Sequence, residues 1–164
     1  RQLLGSQNDM ATIRLKKFQF RLDTVLNYKQ QVLDSLQNEY SLLLQQVQQQ
    51  KDLLNQSQKK YTDLNQGFRQ VEAEGITIAE ALRYENGLRF LEQEIQKEEK
   101  LLQQYQNRAE EKRLQVVAAR QDMMSLEKLK DKKRRDYQKD LQKQEEQFMD
   151  ELASTNKVMA SGTF

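Results

Sequence analysis

The chain has 164 residues, of which 32% are charged, with a net charge of +2 and no Pro, Cys, His or Trp. Without His and Cys it lacks the commonest general base, the thiol nucleophile and thiolate metal ligands, and its apolar content is too low for a compact globule of this size. Disordered chains are usually Pro-rich and aperiodic, so the regular spacing of apolar residues here favours long helices.

The first residues have the composition of a segment encoded by a cloning vector and not that of a folded domain. Gly5-Ser6 is followed shortly by Met10. We therefore interpret residues 1–9 as the remnant of an expression tag and place a single domain at residues 10–155.

The segment FQFRLDTVL, residues 18–26, begins the first predicted helix. If it is helical throughout, Phe18 faces the packing partner and Phe20 faces away, because a step of two residues turns through about 200°. An outward ring at Phe20 favours a docking role for that residue. The alternatives are a helix that begins after Phe20, or a partner that surrounds this end.

A heptad pattern continues from there to residue 72. Its spacing alternates between three and four residues, and ten of its twelve positions are apolar or aromatic. The positions are Leu33, Leu36, Tyr40, Leu43, Val47, Gln50, Leu54, Ser57, Tyr61, Leu64, Phe68 and Val71, and upstream the register includes Leu26, Leu22 and Leu15. This repeat predicts a coiled-coil seam on a first helix over residues 17–72.

The segment EAEGITIAE, residues 72–80, predicts the corner of the chain at about residues 73–77. Gly75 is suited to a left-handed helix C-cap. Thr77 lies three residues before Glu80, the spacing of a capping box that opens a helix. Gly87 is a second possible break, in which case residues 77–86 form a short helix of their own.

The second predicted helix covers residues 77–155, and residues 156–164 are predicted to be a flexible tail. Its register runs through Tyr84, Leu88, Leu91, Ile95, Glu98, Leu102, Tyr105, Ala109, Lys112, Val116, Ala119, Met123 and Leu126. After a charged stretch it resumes at Tyr137, Leu141, Phe148 and Leu152.

Two seams joined by a tight corner predict an all-α fold, a long antiparallel two-helix coiled-coil hairpin. At 1.5 Å per residue the first helix is about 84 Å long and the second about 118 Å. Residues 140–155 therefore extend beyond the partner helix, and Leu141, Phe148 and Leu152 have no intramolecular seam to fill. This overhang is either a frayed or crystal-contact helix, or an apolar stripe kept for another protein.

Two basic segments converge in such a hairpin. One contains Lys128, Lys130, Lys132, Lys133, Arg134, Arg135 and Lys139, and the other contains Arg14, Lys16, Lys17 and Arg21. Beyond them the chain is acidic at Glu145, Glu146, Asp150 and Glu151. The pattern fits a solvated face or a docking collar for an acidic protein. Interleaved acidic residues and the lack of a stacking platform argue against nucleic acid.

The sequence contains no signature of catalysis or of cofactor binding. It has no Gly-rich phosphate loop and no metal-ligand cluster, and a two-helix hairpin offers no buried pocket. It shows no apolar run near 18 residues and no signal-peptide pattern. We therefore expect a non-enzymatic, soluble, cytoplasmic protein without cofactors, metal or small-molecule substrate.

Three segments in order resemble the FliJ family, coiled-coil proteins of the bacterial flagellar type III export apparatus. They are FQFRLDTVL near the start, GITIAEALRYENGLRFLEQEI at the corner, and SLEKLKDKKRRDYQKDLQKQEEQFMDELA near the end. The family's aromatic-x-Phe-Arg-Leu-x-x-Val-Leu start matches Phe18, Phe20, Arg21, Leu22, Val25 and Leu26. Its end pattern matches residues 126–130, Tyr137, Glu146, Asp150 and Glu151. The resemblance covers about residues 13–153.

The resemblance implies a non-catalytic hairpin similar to the gamma-subunit stalk of rotary ATPases. Such proteins act with the hexameric flagellar export ATPase, with the cytoplasmic domain of the export-gate membrane protein and with export chaperones. Their association with the membrane is peripheral, at its inner face, through these partners. The implied roles are protein transport, flagellum biogenesis and motility.

This resemblance and the hairpin geometry together suggest two docking regions. The ATPase-docking end would comprise Phe18, Phe20, Arg21, Lys132, Lys133, Arg134, Arg135, Leu141, Phe148, Asp150, Glu151 and Leu152. The gate or chaperone contact near the turn would comprise Tyr61, Leu64, Phe68, Tyr84, Leu88, Leu91 and Ile95, which equally fit simple seam packing. The alternative function is a generic structural coiled-coil homodimer or tether.

Overall fold

The computed structural model describes residues 17–162 and contains two helices, α1 at Asp23–Glu74 and α2 at Ile78–Ser161. The helices pack against each other and run antiparallel, as successive contacts show: Glu39 pairs with Lys112, and Gln50 with Glu98. No strand occurs in this range. The predicted all-α helical hairpin is confirmed.

The chain divides into two compact units. Of the described residues, 17–30 and 121–162 form unit 1, and unit 2 is Gln31–Arg120. Both helices contribute to each unit. The tag assignment for residues 1–9, and the side chains of Arg14, Leu15 and Lys16, lie outside the described residues.

The predicted heptad registers coincide with the seam. In unit 2, all twelve positions from Leu33 to Val71 and all eleven from Tyr84 to Ala119 are buried or half-buried. The most buried apolar members are Leu33, Val47, Leu54, Ala109 and Val116. In unit 1, the register members Leu26, Met123, Leu126 and Tyr137 are half-buried, whereas Leu22, a predicted member, is exposed.

The first helix begins later than predicted. Residues 17–20 are not helical, Arg21 and Leu22 form a turn, and α1 starts at Asp23 rather than at residue 17. The amide of Asp23 donates to the Phe20 carbonyl at 3.1 Å, which closes this turn. Asp23 also places a carboxylate in the first helical turn, where the helix dipole favours a negative charge.

The corner follows the predicted chemistry within a shorter segment, residues 75–77. Gly75 has a φ of 92°, and its amide donates to the Glu72 carbonyl at 3.2 Å. The Thr77 hydroxyl accepts a hydrogen bond from the Glu80 amide at 3.2 Å and thereby caps α2. A left-handed glycine and a threonine cap together allow one helix to end and the next to begin within three residues.

Gly87 does not break the second helix, because α2 is continuous from Ile78. The Leu64 Cδ2 atom lies 3.0 Å from the position that a Cβ atom on Gly87 would occupy. The glycine thus provides room for a large seam residue of the opposite helix.

The predicted tail over residues 156–164 is wrong for residues 156–161, which continue α2. The hydroxyl of Thr155 donates to the Glu151 carbonyl at 2.8 Å, and that of Ser161 donates to the Val158 carbonyl at 3.0 Å. Helical carbonyls satisfy these polar side chains, so they do not end the helix.

Neither described helix has an apolar stretch sufficient to cross a membrane.

We predict that Gly75→Ala lowers the free energy of unfolding by about 1–2 kcal/mol, because an L-residue is strained at this positive φ. The matched control is Gly67→Ala. It lies inside α1 with no atom within 4 Å of the new Cβ, and it should raise that free energy by about 1 kcal/mol. Urea unfolding followed by circular dichroism measures both. Changes of the same sign would contradict the assigned corner.

Candidate docking surfaces

An open groove in unit 1 surrounds Phe20, and we call it the Phe20 groove. Its volume is about 930 Å³. Three cations and two carboxylates contribute to its wall together with aromatic and aliphatic side chains. The lining residues are Lys17, Phe18, Gln19, Phe20, Arg21, Leu22, Leu129, Lys133, Asp136, Tyr137 and Asp140.

The predicted orientation of the two phenylalanines is wrong. Phe20 is buried, with 8% of its surface exposed, whereas Phe18 is only half-buried. The helical step that separates the two rings does not apply, because the helix begins at Asp23. The alternative of a helix that starts after Phe20 is correct, and Phe20 is therefore a packing residue of the groove and not an outward ring.

Phe18 contacts side chains of α2 through its ring. The ring centroid lies 5.7 Å from that of Tyr137, tilted by 48°, and the Arg134 guanidinium lies 5.6 Å from the Phe18 centroid. Such a cation–π contact keeps the guanidinium beside the ring while leaving the charge accessible to water. The start of the described chain is thus held by aromatic packing and by one cation.

The two predicted basic segments meet in part. Lys17 and Arg21 line the groove together with Lys133. Lys130 donates to Asp23 at 2.7 Å, so a carboxylate lies against its ammonium group. Lys132 is exposed, and Arg135 donates to the Asp131 carbonyl of its own helix. These last two belong to the basic surface of α2 and not to the groove.

The end of α2 forms a second surface, which we call the C-terminal segment, residues 142–161. Every residue in it is exposed. Its large apolar side chains are Phe148, Met149, Leu152, Val158 and Met159, and its acidic residues include Asp150 and Glu151. Leu141, predicted to lack an intramolecular seam, is instead half-buried. The sequence reading missed Val158 and Met159 because it ended the helix at residue 155.

The seven residues predicted near the turn all lie in the seam of unit 2. Phe68 stacks on Tyr84 with centroids 5.1 Å apart and an interplanar angle of 24°. The Tyr61 hydroxyl donates to Glu92 at 3.1 Å, and this hydrogen bond to a carboxylate raises the pKa of Tyr61 above its ordinary value. All seven are half-buried: Tyr61, Leu64, Phe68, Tyr84, Leu88, Leu91 and Ile95.

Three exposed apolar residues on α2 near the corner escaped the sequence reading. Ile78 is 82% exposed, and Leu82 and Phe90 are also exposed. They lie outside the heptad register, and large apolar residues outside the register are the signal that would have identified them.

Within the described range no group of acidic side chains is arranged to hold a metal ion.

We predict that Phe20→Ala destabilises residues 17–30 locally by about 3 kcal/mol, because it removes a buried ring from the groove. The control is Tyr28→Ala in the same unit, where the side chain is 62% exposed and the cost should stay below about 0.5 kcal/mol. Hydrogen–deuterium exchange of these residues measures both. Equal protection in the two variants would contradict the buried position of Phe20.

A family model described as the flagellar FliJ protein matches residues 18–158. The match includes the Phe20 groove except Lys17, the register positions of both units and most of the C-terminal segment. A comparison with curated proteins and a comparison with solved structures each gave no match.

Proposed function

Since the chain belongs to the FliJ family and is a component of the flagellar export apparatus, we propose that it acts as a non-catalytic stalk that engages the export ATPase ring. In this proposal the stalk also links the ring to the export gate and to export chaperones. Its attachment to the membrane is peripheral and runs through these partners. The observation that supports the proposal best is the exposed C-terminal segment.

The C-terminal segment has the pattern of a helix that is buried by a partner. Phe148, Leu152 and Met159 of this segment share one face of α2 with Leu141, which precedes the segment, because the four are spaced by seven, four and seven residues. All but Leu141 are exposed in this chain. Burial of apolar surface contributes about 25 cal/mol per Å², and a ring that encloses the helix buries this face completely.

Charge around the same end supports selective docking. Lys132, Lys133 and Arg135 are exposed on α2, and Asp150 and Glu151 follow further along the helix. A basic band beside an acidic band matches a partner with the opposite order of charges. Such complementarity raises the association rate and fixes the orientation more than it raises affinity.

The corner region is the proposed contact for the gate or for chaperones. The seven seam residues there are half-buried and hold the two helices together. Ile78, Leu82 and Phe90 add exposed apolar surface close to them in sequence. The proposed contact therefore uses these three side chains together with the exposed edges of the seam rings.

A coiled-coil homodimer or tether is the second candidate, because the apolar face of the C-terminal segment is equally suited to a copy of itself. Sedimentation equilibrium at micromolar concentration separates the two candidates. A monomer supports the stalk and argues against the tether. A pull-down with the export ATPase of the same cell tests the stalk directly.

We predict that Phe148→Ala combined with Leu152→Ala weakens binding to the export ATPase and its stimulation by about tenfold or more, because two apolar anchors are removed. Leu114→Ala combined with Val117→Ala removes comparable exposed side chains from unit 2 and should leave both unchanged. Circular dichroism confirms that both variants stay helical. Equal stimulation by the two variants would exclude docking through the C-terminal segment.

We further predict that replacing residues 132–135 with Glu slows association with the ATPase mainly at low salt, because screening removes the effect at high salt. Reversal of four exposed lysines in unit 2, Lys51, Lys59, Lys60 and Lys100, gives the same change of net charge and should affect the rate much less. Stopped-flow mixing at two salt concentrations measures the rates. A slowing that is independent of salt would argue against electrostatic steering.

A further inference from the structure

Three polar residues meet inside the apolar seam of unit 2, and we call them the polar node: Gln50, Ser57 and Glu98. Gln50 is 4% exposed and Ser57 is 9% exposed, so both are as buried as the leucines around them. All three occupy heptad positions that a coiled coil normally fills with apolar residues.

The node is held by two hydrogen bonds between the helices. The Gln50 side-chain amide donates to the main-chain carbonyl of Glu98 at 3.2 Å, and the Ser57 hydroxyl donates to Glu98 Oε1 at 3.0 Å. Gln50 and Ser57 are one heptad apart on α1 and therefore reach Glu98 from its two sides. Glu98 Oε2 is buried without a hydrogen-bond partner among the described residues.

This arrangement is costly compared with an apolar seam. A buried polar group loses its water and regains only what its protein partners supply, and one carboxylate oxygen here regains nothing. Replacing buried polar or ionic groups with well-packed apolar ones is often neutral or stabilising. The best-attested benefit of such groups is that they specify which helices pair, and in which register.

The rest of the seam discriminates weakly between registers, because its apolar positions repeat every seven residues. If α2 shifted by one heptad, Glu98 would lie between Leu43 and Gln50, or between Ser57 and Leu64. In either case one of its two partners would be lost. The corner opposes such a shift only through Gly75 and Thr77, because a heptad slip between the helices moves the turn by three to four residues.

Pairing between copies of the chain would also disrupt the node. If α1 paired with α1 of a second copy, Gln50 and Ser57 would be buried without Glu98. If α2 paired in parallel with α2 of a second copy, two Glu98 carboxylates would face each other inside the seam. We therefore propose that the polar node selects the native pairing of α1 with α2, in one register, against shifted pairings and against pairing of like helices.

A second contact in unit 2 depends on the same register. Leu64 packs where Gly87 has no side chain. A shift of one heptad would place Glu80 or Glu94 at that position. The glycine contact opposes the slip by shape and the node opposes it by polarity, so the two act independently.

The test replaces the node with apolar residues in the full chain, as Gln50→Leu, Ser57→Ala and Glu98→Leu together. The natural sequence has no Cys, so spin labels are attached at Asn38→Cys and Glu99→Cys, both at exposed positions. These positions are offset along the hairpin axis, and a slip of one heptad moves α2 by about 10 Å relative to α1. Pulsed electron spin resonance then reports the distance distribution, and sedimentation equilibrium reports association.

With the node intact, we expect one distance peak. The triple variant should stay helical, melt at a higher temperature and show a displaced second peak or concentration-dependent association. Glu98→Gln is the matched control. Its side-chain amide oxygen can still accept a hydrogen bond from Ser57, and the main-chain carbonyl of residue 98 can still accept one from Gln50. We therefore expect this variant to keep one distance peak. A triple variant with a single peak at the native distance and no new association would overturn the proposal, whatever its melting temperature.

Discussion

Two helices in contact bury each side chain from one direction only, and this limit governs the whole molecule. Among the described residues no large side chain is completely buried, and most seam residues keep part of their surface in water. Stability must therefore be summed over a long repeat and cannot come from a compact core. The paired parts of α1 and α2 meet this requirement by their length, whereas residues 142–161 of α2 are exposed and add nothing to the seam.

Within the described residues, the same limit leaves surfaces rather than an enclosed site for the proposed function of this FliJ-family protein. An enclosed site needs walls on several sides, which a pair of helices does not supply. What the pair does supply is a scaffold whose two units differ in chemistry. In unit 1 this chemistry is an aromatic and charged groove together with an exposed helical segment, and in unit 2 it is a seam with a polar node.

The places where sequence and structure disagree have a common cause. Heptad spacing predicts which side a residue faces only where the chain is helical. It therefore placed the Phe20 ring on the outer face of a helix, whereas the non-helical turn before Asp23 buries the ring. Composition suggested a tail after residue 155, but hydroxyl groups bonded to helical carbonyls allow α2 to continue. Gly87 was a possible break, and its role is instead set by Leu64 on the opposite helix.

The sequence by itself determined the helical class, the seam registers and the corner, because each depends on local spacing or on the conformational preference of one or two residues. Gly75 and Thr77 are sufficient to define where one helix ends and the next begins. Only the tertiary structure decided which polar groups meet. The bonds that join Gln50 and Ser57 to Glu98 connect residues more than forty positions apart. The burial of Phe20 likewise depends on the approach of α2, and no local pattern encodes such a contact.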